Sequence, residues 1–191
     1  MSEQRATFKE LISLPRYGHS RLYERAALGV AILAVAVVGV SAASDDAGAR
    51  TVAKQQGQHV FPVPANHTYG DGFGAGRGHQ GQDILAKCGK KVVAARGGTV
   101  QVSASHSAAG NYIVIDGQGT KWDYAYMHLK KRDLPREGAR IGTGEVVGLL
   151  GRTGNATACN LHFEMWDPPG YYEGGKAKPP TKHLKSWDRY S

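Results

Sequence analysis

Lys121-Trp-Asp-Tyr-Ala-Tyr-Met-His-Leu129 reads as a β-strand, rich in aromatic residues and alternating in character. Successive side chains of a strand point to opposite faces. Strict alternation places Trp122, Tyr124, Tyr126 and His128 on one face and Asp123, Ala125, Met127 and Leu129 on the other. An aromatic row ending in histidine either walls a cleft or forms an exposed sheet face with cross-strand aromatic pairs. Segments of the same kind lie around it, at residues 91–96, 99–105, 112–116, 145–150 and 161–166. Gly97-Gly98, Gly110-Asn111, Gly117-Gln118-Gly119, Gly138 and Gly142 punctuate them as turns. No segment of this region carries a sustained helical apolar face. The pattern predicts a mainly β domain, a compact antiparallel sheet with short hairpins.

The start of the chain differs. Residues 26–44, AALGVAILAVAVVGVSAAS, carry no charge, and their length approaches the ~20 residues of a membrane-spanning helix. Arg5, Lys9, Arg16, Arg21 and Arg25 outnumber Glu3, Glu10 and Glu24 ahead of that run. The excess keeps residues 1–25 cytoplasmic and exports the remainder. Val40-Ser41-Ala42 offers the small-residue site of a cleaved signal sequence, whereas the long polar region in front favours an uncleaved anchor. Either way one hydrophobic helix precedes the β domain. The expected location is the cell envelope, on the exported face of the cytoplasmic membrane or secreted.

Residues 45–58 read as a linker, 59–175 as the domain, and 176–191 as a basic, proline-containing tail in which Trp187 could anchor back onto the domain. The chain has 24 Lys and Arg against 16 Asp and Glu. Setting aside the cytoplasmic segment leaves 19 against 13, a net +6 that suits an anionic partner such as a cell wall. No nucleic-acid motif accompanies the charge, so no nucleic-acid partner is expected. Cys88 and Cys159 are the only cysteines. An oxidising compartment would allow them to close a long loop, and a reducing one would leave two thiols.

Three histidines stand in chemically informative settings. In His79-Gln-Gly-Gln-Asp83 a straight strand would hold His79 and Asp83 ~13 Å apart. A bend at Gly81, where glycine permits unusual backbone angles, could bring them together. His128 ends the aromatic row. In Asn160-Leu-His-Phe-Glu-Met165, Leu161, Phe163 and Met165 make an apolar face, and Asn160, His162 and Glu164 point the opposite way. Taken singly, each histidine is equally a hydrogen-bonded or surface residue. Taken together, His79, Asp83 and His162 offer two imidazoles and a carboxylate to Zn²⁺. Three protein ligands leave a fourth position for water, as in catalytic zinc sites. Such an ion acidifies water and polarises a carbonyl, which suits amide hydrolysis. His128 is the candidate base.

The segments HQGQD, GGTV, GNYIVID, YAYMHL, GEVVGLLGRTGN and LHFE, in that order across residues 61–166, resemble the lysostaphin-type (LytM-like) zinc endopeptidases. The resemblance implies a compact antiparallel β fold with a groove across one sheet, and cleavage of peptide bonds in bacterial peptidoglycan. It implies His79, Asp83 and His162 as zinc ligands and His128 as a catalytic histidine. The family pattern at the last strand is H-x-H, and Asn160 stands where the family has its second catalytic histidine. An amide can orient water or an oxyanion but has no proton to exchange near neutral pH. Losing a general acid–base group typically costs ~10²- to 10⁴-fold in rate. The resemblance therefore carries an alternative, an impaired module that binds wall peptides or regulates a partner wall hydrolase. In this frame a Cys88–Cys159 disulfide would tie together the two ligand-bearing segments.

Overall fold

The computed structural model describes residues 58–76, 78–131, 134–171 and 173–189. The apolar run at 26–44, with its anchor and signal-sequence readings, and the segments flanking it lie outside those residues. Among the described residues no helix is long and apolar enough to cross a membrane.

Among the described residues ten strands and one helix follow in order: β1 (His67–Tyr69), β2 (Gln82–Ala86), β3 (Lys91–Val93), β4 (Gly98–His106), β5 (Gly110–Gly117), β6 (Asp123–Leu129), β7 (Arg140–Ile141), β8 (Val146–Leu149), β9 (Asn160–Trp166), β10 (Ala177–Lys178) and α1 (Thr181–Asp188). The main sheet runs β1-β2-β9-β6-β5-β4-β7, with β10 paired to β9, and β3-β8 form a separate ribbon. Every pairing is antiparallel. The expected mainly β, antiparallel architecture is what the chain adopts.

The core lies on one face of the sheet. Ile84, Ile113, Ile115, Tyr124, Tyr126, Leu161 and Phe163 are buried there together with Leu184 and Trp187 of α1. Each such side chain contributes roughly 1.5–3 kcal/mol on burial, so this layer dominates the stability of the domain. Tyr126 also accepts a hydrogen bond at its hydroxyl from Ala95 N, at 2.8 Å, which satisfies the one polar atom of a fully buried ring. A second buried cluster, with Tyr112, Val114, Ala125 and Met127, covers the opposite face.

The alternation expected for β6 fails at its end. Ile113 pairs with Tyr126, but Asn111 pairs with Leu129, so β6 contains one residue more than β5 over that interval. This is a β-bulge, and His128 absorbs it with φ 64°, uncommon for a residue other than glycine. Leu129 consequently joins Tyr124 and Tyr126 in the core. His128 leaves the aromatic row and turns toward His162, whose cross-strand partner is Met127. One further expectation changes: Gly110-Asn111 opens β5 rather than forming a turn. All seven residues of β9 are buried, so its polar face is covered as well as its apolar one.

His59 joins the start of the domain to its end. Its ring stacks on Trp187 at 4.6 Å, and Nε2 lies 2.8 Å from the Tyr124 hydroxyl. Burial, then the charge of Arg96 and the nearby His183, lowers its pKa from 6.5 to about 4. As pH falls, the unfolded chain therefore takes up this proton first, and stability present above pH 6.5 is lost toward pH 4. Thermal unfolding should show Tm falling across that window, and His59→Gln should give a shallower decline; an unchanged slope would refute the assignment.

Candidate metal centre

Asp83 on β2 and His162 on β9 are direct cross-strand partners. Their side chains share a face and meet, with Asp83 Oδ1 2.9 Å from His162 Nδ1. His79 precedes β2 in a loop, and its Nε2 lies 3.2 Å from the same oxygen. The bend between them depends on Gly81, though for a reason other than the one expected. Gly81 is absent from the positive-φ residues. A Cβ there would collide with the Phe163 carbonyl and lie 2.8 Å from His162 Nε2. Close approach to β9, rather than an unusual backbone angle, is what demands glycine.

The sequence singled out His79, Asp83 and His162, and the chain brings them together. One ligand atom from each lies within 4.8 Å of the others. Ligand atoms placed tetrahedrally ~2.0–2.2 Å from an ion sit about 3.3 Å apart, close to the 2.9 and 3.2 Å separations from Asp83. Asp83 Oδ1 is the shared corner of the cluster. Burial works against its ionisation, but hydrogen bonds from His162 and His79 hold its carboxyl well below the ordinary range. The hydrogen bond with Asp83 is the main influence raising the pKa of His79. The donor set, its spacing and its charge fit a divalent cation.

Each imidazole is oriented from behind. His79 donates through Nδ1 to the Gly72 carbonyl at 2.9 Å, which leaves Nε2 as the nitrogen facing Asp83. His128 donates through Nδ1 to the Thr153 carbonyl at 2.8 Å. His162 Nε2 lies 2.9 Å from Glu164 Oε1. Backing of this kind fixes the tautomer, and so decides which nitrogen is a donor to a metal. The Gly72 and Thr153 carbonyls had no signal in the sequence, being backbone atoms brought in by loops. Glu164 did have one, because it lies two residues from His162 on the same strand face.

His128 stands beside the cluster, its ring centroid 5.9 Å from that of His162. Burial, followed by the charge of His162, lowers its pKa to about 4. The ring is therefore neutral at neutral pH, the state in which it accepts a proton. Asn160 shares the β9 face of His162 and is buried, and its Oδ1 has no hydrogen-bond partner. A cleft of about 410 Å³ opens over His79 and His162, with Asp71, Ala75, Gly76 and Gly78 along its wall. Cys88 and Cys159 are joined in a disulfide with Cα atoms 5.3 Å apart. The bridge spans the ends of β2 and β9, just beyond the ladder that carries Asp83 and His162.

Residues 77–179 match the sequence profile of Peptidase family M23. Among curated relatives, the peptidoglycan DD-endopeptidase ShyA of Vibrio cholerae is 36% identical over 87 residues, covering 46% of this chain and 20% of that protein. The chain thus spans about a fifth of the length of the first curated relatives it matches. The catalytic domain of the antimicrobial peptidase lysostaphin from Staphylococcus simulans superposes with a TM-score of 0.57 and 28% identity, covering 63% of this chain and 93% of that one. A zinc-containing peptidase from Vibrio cholerae superposes with a TM-score of 0.52 and 31% identity, over 56% of this chain and 36% of that one.

The disulfide closes a loop of 71 residues in sequence, for which chain-entropy reasoning gives about 4 kcal/mol of stabilisation. Denaturant unfolding of the Cys88→Ser/Cys159→Ser double variant should show a loss of that order. A reductant should lower the stability of the wild type and leave the variant unaffected. Equal stability of the two proteins would contradict a stabilising bridge.

Proposed function

The chain belongs to Peptidase family M23, and on that premise we propose that it is a zinc-dependent endopeptidase hydrolysing peptide bonds in bacterial cell-wall peptidoglycan. The observation that carries the reading is the convergence of His79 Nε2, Asp83 Oδ1 and His162 Nδ1 below a cleft. In this reading those three residues hold zinc. Zinc bound there supplies a Lewis acid that polarises the scissile carbonyl and acidifies water.

The remaining work falls to the chain's own groups. His128, neutral and held through Nδ1 by Thr153, presents Nε2 as the proton acceptor and later returns the proton to the leaving amine. Asn160, with its unpartnered Oδ1, orients water or the substrate amide through hydrogen bonds. The cleft receives an extended peptide of the wall. Residues 26–44 serve as a membrane anchor or signal sequence, with 45–58 as the linker, so that the domain at 59–175 and its basic tail at 176–191 work on the exported side. The net positive charge of that part favours an anionic wall over a neutral one.

One observation favours a second reading. Asn160 occupies the position of a family histidine and cannot exchange a proton near neutral pH. A chain with an intact metal site and one acid–base group fewer could bind wall peptides, or regulate a separate wall hydrolase, without turning substrate over.

Digestion of purified peptidoglycan by the full-length protein in detergent tests the first reading. New amino termini should appear with zinc present and disappear with a chelator, and His128→Ala should lower the rate by ~10²- to 10⁴-fold. No release from several wall chemistries by zinc-loaded protein would sink the enzyme. Asn160→His provides the second measurement. A modest rate increase over an active wild type accords with the enzyme, whereas activity found only in the variant identifies the natural protein as a binding or regulatory module.

A further inference from the structure

Glu164 is a carboxylate with no solvent exposure, and its placement carries a role that the ligand set alone does not describe. Burying such a group is expensive unless its oxygens are hydrogen-bonded. Here each oxygen has one partner. Oε1 lies 2.9 Å from His162 Nε2, and Oε2 accepts from the indole Nε1 of Trp166 at 2.7 Å. Trp166 is itself buried, with the Tyr171 ring packed edge-on against it at 4.8 Å. His162, Glu164 and Trp166 are alternate residues of β9, so one strand face carries the whole relay. Its far end is His162 Nδ1, 2.9 Å from Asp83 Oδ1.

We propose that Glu164 is a positioning residue, which holds His162 as the Nε2–H tautomer and so makes Nδ1 the metal donor, while Trp166 fixes the carboxylate in place. The inference rests on the reading of His79, Asp83 and His162 as a metal site. The geometry excludes the reverse assignment, because Nε2 points at Glu164, away from the oxygen shared with His79. A carboxylate behind an imidazole also increases its basicity and hence its strength as a ligand. His79 and His128 are backed by neutral carbonyls, so His162 alone of the three receives anionic backing. Trp166 adds a directional constraint. Its N–H occupies the second oxygen, which keeps the carboxylate from rotating out of the plane that His162 requires.

Zinc affinity of the full-length protein, measured by competition with a chromogenic chelator, tests the proposal without reference to catalysis. Glu164→Gln preserves shape, but its amide cannot accept from both His162 and Trp166. It should weaken zinc binding by roughly 10- to 100-fold, with the metal-free protein unfolding at a temperature close to that of the wild type. Trp166→Phe, which frees one carboxylate oxygen and leaves the charge, should produce a smaller loss of affinity. In zinc-loaded wild type with labelled histidine, nuclear magnetic resonance should show His162 protonated at Nε2 and metal-bound at Nδ1. That measurement needs no variant and stands even if Glu164→Gln does not fold. Zinc affinity within twofold of wild type in Glu164→Gln, or a metal-bound Nε2, overturns the proposal and leaves the metal site standing. Failure of the wild type to bind zinc overturns both.

Discussion

Asp83 lies opposite His162 because β2 and β9 pair in one particular register, and the site depends on that ladder more than on any other contact. The two residues are 79 positions apart in the chain, and only hydrogen bonding between the strands makes them neighbours. Slipping the register by one residue would turn every side chain of a strand to its opposite face. Asp83 would then point into the apolar layer, and Ile84 would take its place. The buried set of Ile84, Leu161 and Phe163 resists that slip, so the hydrophobic core specifies the geometry of the polar cluster on the other side of the sheet. The disulfide just beyond the ladder acts in the same direction.

Polarity at the centre is arranged in layers. Asp83 Oδ1 draws two imidazoles to one point. Behind the imidazoles of His79 and His128 stand the carbonyls of Gly72 and Thr153, and behind His162 stands Glu164. Each ring thus has one nitrogen committed to structure and the other available for chemistry. Gly72 contributes only its carbonyl, whereas Thr153 also anchors its segment through Oγ1, which accepts from Asn111 N at 3.0 Å and donates to the Leu129 carbonyl at 2.9 Å.

The long strands were readable in the amino-acid sequence because their apolar and aromatic residues alternate. β4, β5, β6 and β9 coincide with the expected segments to within two residues at either end. β1, β7 and β10, at two or three residues each, are too short to show a period, and α1 lies in a basic tail whose apolar anchors are Leu184 and Trp187. β2 was passed over for a different reason: Gln82-Asp-Ile-Leu-Ala86 has two polar residues at its start, and its value lies in what it pairs with. The residues of the candidate metal cluster, His79, Asp83 and His162, could be singled out from their types and order, and the chain brings them together. The burial of Glu164 could not be read in the same way, since nothing in the local pattern reveals that the second face of β9 is covered. Nor could alternation foresee the bulge that reverses His128.

That bulge ties the fourth residue of the centre to a count rather than to a side chain. His128 faces His162 only because β6 holds one residue more than its partner between the pairs Ile113–Tyr126 and Asn111–Leu129. Its backbone N–H is tied to the Ala109 carbonyl at 2.9 Å, and the left-handed backbone angle at His128 is the form the extra residue takes. A relative could retain histidine in an aligned column and still lack the centre, if a single-residue deletion nearby restored regular pairing. The residue count within β6 is thus as much a determinant of the geometry of this cluster as the identity of any side chain in it.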